Sequence, residues 1–139
     1  MFTLMLGSSG CLMKNMSPMP HNNQKLWKIY FSCDKSEITD ENKSRLLDIV
    51  EFLQINPDRV IKIIGHTDQC CVSNGRNKKK YNFILGKRRA DAIKEYIINC
   101  NQSLKYRIYT ESKGESEPEI IGTGEKAWSK NRRVVVVVS

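Results

Sequence analysis

Nowhere does this sequence reach the ~20 consecutive apolar residues that a membrane-spanning helix needs. Any tie to a membrane is therefore expected through a lipid or a cleaved segment. Acidic residues are scarce beside basic ones, 15 against 23, for a net charge of +8. That balance predicts attraction to polyanions, but nucleic acid, anionic lipid and cell-wall polymer all qualify. The nucleic-acid reading lacks a recognisable motif and lacks aromatics interleaved on a basic face. Histidine is rarer still, with only 2 residues. One His66 with Asp68 nearby offers too few ligands for a closed metal site. Nothing beside it supplies the oxyanion hole or third orienting group of a Cys/His hydrolase. No internal repeat is evident. What remains is a single domain of 139 residues with a short N-terminal appendage, 40% hydrophobic and 27% charged, enough for one modest core and an ordinary surface.

Trp27, Ile29 and Phe31 alternate with polar neighbours, which predicts a half-buried strand. Thr39 or Asp40 can cap a following helix, in which Leu46, Ile49, Val50 and Leu53 form one apolar stripe. Asn56-Pro57 stops it, because the residue before proline avoids the helical region. Val60 to Ile64 reads as a central strand. A second helix is expected over 82–99, with Phe83, Ala90, Ile93 and Ile97 on its core face. A third strand follows over 106–110, then a long polar connection over 114–126, then a last strand over 133–138. The run Val134 to Val138 is so apolar and β-prone that an exposed edge would invite aggregation. The expected fold is α/β in the sense of an α+β sandwich. Its order is β-α-β-α-β-β, with a small mixed sheet and two helices packed on one face.

Three segments bring chemistry to one edge of that sheet. Gly65-His66-Thr67-Asp68 ends the second strand with a small, polar, acidic turn. Tyr81-Asn82 opens the second helix, and Arg88-Arg89 stand two turns inside it. At ~100° per residue Arg89 shares a side with Asn82 and the core stripe, while Arg88 points to solvent. Asn131-Arg132-Arg133 leads into the last strand, with Arg132 expected at the rim and one of the paired arginines facing away by strand alternation. One carboxylate among several cations suits a zwitterionic ligand, and a guanidinium meets a carboxylate as a two-pronged donor. The plainer alternatives are a turn role for Asp68 and an internal salt bridge from Arg89 to Asp68.

From Leu26 to Ser139 these segments resemble the OmpA-like C-terminal domain family. Ile29-Tyr30-Phe31, Asp34 to Ile38, Gly114, Pro118 and Ala127-Trp128-Ser129-Lys130 fall in the matching order. The resemblance implies non-enzymatic, non-covalent binding of the peptidoglycan stem peptide at its diaminopimelate, with no cofactor and no metal. Asp68 matches the family's acceptor for the ligand ammonium, Arg89 its carboxylate-binding arginine, and Asn82 its polar pocket residue. Thr67 and Arg132 join them. Asp34 either accepts from the ligand or caps a turn. As partners the resemblance implies peptidoglycan and the Tol envelope proteins; nucleic acid is not expected.

Residues 1–10 resemble a shortened lipoprotein signal, with Cys11 as the lipidation site and residues 11–24 as a flexible tether before the domain at 25–139. This places the protein on the periplasmic face of the outer membrane. The family has a shorter stretch where this chain carries Gln69 to Lys80. Arg76 and Lys78 to Lys80 in that stretch either hold an anionic partner or are simply solvated. Cys33 and Cys70-Cys71 fall at the same sheet edge, so a disulfide from Cys33 to Cys70 or Cys71 is geometrically open in an oxidising compartment. Cys100 is expected away from them, as a thiol.

Overall fold

The computed structural model describes residues 25–69 and 77–139. The alternation of Trp27, Ile29 and Phe31 forms the inner face of β1 (Leu26–Tyr30) and its exit. Thr39 caps α1 (Asp40–Ile55), its side chain accepting from the Asn42 amide, which satisfies one of the helix's orphan donors. Leu46, Ile49, Val50 and Leu53 are fully buried, as their spacing predicts. Then come β2 (Ile61–His66), α2 (Lys78–Cys100), a 3-10 segment (Gln102–Arg107), β3 (Ile108–Gly114), α3 (Glu125–Asn131) and β4 (Arg133–Val138).

The four strands lie in the order β1-β4-β2-β3. β4 runs antiparallel to both β1 and β2, whereas β2 and β3 are parallel. The apolar run of β4 is thus an interior strand with both edges paired. Its alternate residues Val134, Val136 and Val138 enter one core with Ile29, Ile61, Ile63, Ile108 and the stripes of α1 and α2. Both long helices cover that face of the sheet, and the small mixed sheet of the sequence reading is what forms.

Several boundaries differ. α2 begins at Lys78, capped by Asn77, so Lys78 to Lys80 are helical and Asn82 is already inside the helix. Phe83, expected on the core face, is 52% exposed: it lines a cleft with Gln69, Lys79, Lys113 and Glu115, while Leu85 and Gly86 beside it are buried. β3 starts later than expected because the 3-10 segment takes up residues to Arg107. The polar connection ends in a short helix, α3, which the sequence pattern did not show.

Candidate functional site

The site starts from a backbone contact. A Cβ on Gly65 would stand 1.8 Å from the carbonyl oxygen of Gly86, and one on Gly86 would stand 2.3 Å from Ser112 Oγ. At Gly65 the obstacle is backbone, so the missing side chain there is what lets α2 lie this close to β2. Arg89, one turn further along α2, then reaches the end of β2. Its Nη1 donates to the His66 carbonyl at 3.0 Å, its Nη2 to the Ser32 carbonyl at 3.0 Å, and its Nε to the Lys35 carbonyl at 2.7 Å. The guanidinium also lies over the Phe31 ring, 5.3 Å from its centroid. Arg89 is fully buried. Burial pulls its pKa down to about 10, against the pull of Asp68 in the opposite direction, so it stays protonated at neutral pH. Arg88 is exposed, as the helical angle requires.

Asp68 follows β2 and is buried. Arg132 Nη1 donates to its Oδ2 at 3.0 Å. The same guanidinium donates through Nε to the Phe31 carbonyl at 3.0 Å, and through Nη1 and Nη2 to the two carboxylate oxygens of Glu125. The bonds that Arg132 donates to Glu125 and to Asp68 hold its pKa above the ordinary value against the effect of burial. Glu125 is held below the usual carboxylate range by the same bond. Thus the described ion pair of Asp68 is made by Arg132, where an internal bridge from Arg89 was the alternative expected. Arg132 itself is buried rather than at the rim.

Asn82 Nδ2 donates to the Asp68 carbonyl and to Glu115 Oε1, both at 3.3 Å. Thr67 sends its backbone amide to the Gly114 carbonyl at 2.9 Å, and its buried hydroxyl meets no partner among the described residues. Asp34 sits in a turn at φ 56° and accepts from the Tyr81 hydroxyl, a bond that raises the tyrosine's pKa. Asp34, Thr67, Asp68, Asn82, Arg89 and Arg132 therefore gather at one end of the sheet, around the exits of β1 and β2 and the entry of β4.

Strand alternation turns one arginine of the pair away from the site, as expected, but not into solvent. Both are buried. Arg133 faces the opposite side of the sheet, where the 115–121 segment covers it and the Glu117 carbonyl accepts from its Nη2 at 3.1 Å. His66 is packed on that same side. Glu125, Tyr81 and Glu115 are the participants that the sequence reading did not assign. Glu125 was legible in principle: it stands seven residues before Arg132, two helical turns, directly after Gly124.

Cys33 is disulfide-bonded; its expected partners Cys70 and Cys71 lie outside the described residues, as do Cys11, the 11–24 tether and Arg76. Cys100, at the end of α2, carries a thiol.

Comparison with known proteins places these features. The OmpA family matches residues 30–132. A peptidoglycan-associated lipoprotein of Buchnera aphidicola is 38% identical over 109 residues, covering 78% of this chain and 59% of that protein. One from Haemophilus influenzae is 35% identical over 113 residues, covering 81% of this chain and 69% of that protein. The chain thus spans roughly six tenths to seven tenths of the length of these relatives. The crystal structure of the peptidoglycan-associated lipoprotein from Burkholderia pseudomallei superposes with a TM-score of 0.68 at 28% identity, covering 81% of this chain and 89% of that one.

Proposed function

The chain belongs to the OmpA family, and we propose that it anchors the bacterial envelope by binding peptidoglycan non-covalently at the Asp68–Arg132 nest. The observation that carries this reading is that buried pair, with opposite charges 3.0 Å apart. The diaminopimelate of a stem peptide offers an ammonium and a carboxylate close together. Asp68 is the acceptor for the first, and a guanidinium is the matching donor for the second. Asn82 and Thr67 supply neutral hydrogen bonds, and Asp34 an acidic group at the opening. Arg89 spends its Nε, Nη1 and Nη2 on the carbonyls of Lys35, His66 and Ser32, so it also fixes the walls of the site. A lipid on Cys11 would hold the domain at the periplasmic face of the outer membrane, with the Tol envelope proteins as partners. Tethering to a polymer makes many weak contacts add up.

A pull-down of the full chain with insoluble peptidoglycan across a salt series tests this, with Asp68→Asn as the variant. Retention that tolerates salt and falls about tenfold in the variant, as expected for losing a charge-assisted bond, supports the pocket. Retention that the variant keeps and salt abolishes would mean a non-specific basic surface instead.

A further inference from the structure

Arg132 divides its donors between two environments. Its inward bonds go to the Phe31 carbonyl and to Asp68, and the Asp68 side chain is only 3% exposed. Its outward bonds go to Glu125, whose side chain is 71% exposed. Both Glu125 oxygens accept, one from Nη1 and one from Nη2. A carboxylate laid across two guanidinium nitrogens is the arrangement a carboxylate ligand would itself adopt.

We propose that Glu125 is an internal stand-in for the ligand's carboxylate, occupying the outer edge of Arg132 until a stem peptide displaces it. The inference rests on the wall-binding reading and names the residue that sets its selectivity. Of the two carboxylates on Arg132, only Glu125 can leave at small cost. Glu125, being exposed, regains water as it leaves, whereas removing the buried Asp68 would strand the Arg132 charge. Glu125 can turn into solvent while Asp68 keeps Arg132 neutralised. An incoming carboxylate then makes the same two bonds and gains only the difference between them and those of Glu125. A ligand without a carboxylate at that point cannot drive the exchange. The site thereby rejects neutral or amidated peptides through competition from its own side chain.

The test measures binding of two soluble stem peptides to the full chain by calorimetry. One carries free diaminopimelate and the other is amidated at the diaminopimelate side-chain carboxyl. Glu125→Gln should bind the free peptide about two- to fivefold tighter than the unaltered protein, the scale of one ion pair whose carboxylate is open to water. The gain should vanish for the amidated peptide. Because Glu125 is largely exposed, its variant should keep the unaltered protein's melting temperature. Equal or weaker binding of the free peptide by Glu125→Gln, or an equal gain for both peptides, overturns the proposal while leaving wall binding intact. Failure of the unaltered protein to bind either peptide would remove the wall-binding reading, and this proposal with it.

Discussion

His66 is buried beside a cation and folds as a neutral ring. Burial, then the charge of Arg133, brings its pKa down from 6.5 to about 4, with Glu117 and Glu119 opposing and Lys113 assisting. A base whose pKa is lowered on folding favours the native state only while it is neutral. Its contribution is whole above pH 6.5 and is lost as the pH falls toward 4. A shift of that size corresponds to roughly 3 kcal/mol across the window. Urea unfolding at pH 7 and pH 4, for the unaltered protein and for His66→Gln, should show the acid loss shrink by about that amount in the variant. Equal losses would mean that other groups set the acid limb. At this scale the sequence spoke clearly wherever one angle decided. Arg88 and Arg89 separate by 100° of helix, and the structure puts the first in solvent and the second in the interior. It was silent where the cover came from irregular chain. Arg133 and His66 are enclosed by the 115–121 segment, whose position no periodicity announces.

Among elements, the meeting of α2 and β2 governs the site, because the height of the helix decides whether Arg89 reaches the His66 carbonyl. Gly65→Ala puts a methyl group into the Gly86 carbonyl. The obstacle is backbone, which cannot rotate away, so a loss of about 3 kcal/mol or more is expected, read as a lower melting temperature. Unchanged stability would show that the helix can lift without penalty. Gly86→Ala meets the Ser112 hydroxyl first, a side chain that can turn, and should be milder. The stripes that build α1 and the later part of α2 were legible as repeats of apolar residues. The start of α2 was not: Lys78 to Lys80 favour helix yet carry no apolar period, so only the Asn77 cap marks it. α3 escaped for a similar reason. Its seven residues are too few to display a period, and they follow a connection rich in turn formers.

For the whole molecule, strand order matters more than strand composition. β1 pairs with β4 and with no other strand among the described residues. β4 also separates β1 from β2, and three of its valines enter the core. Removing residues 133–139 should therefore leave β1 with no partner, and the shortened chain should be digested by protease at a concentration the full chain resists. Resistance in the shortened chain would show that β2, β3 and α2 hold together unaided. The apolar pattern of the last strand announced that it must be protected, but not which strands would protect it, since pairing joins residues that lie far apart in sequence. That order also has a consequence in time. Synthesis delivers β1, α1, β2, α2 and β3 before the strand that joins the sheet. Until that strand has been made, the polypeptide holds two separate pieces of sheet, and no amount of waiting lets it close its own architecture.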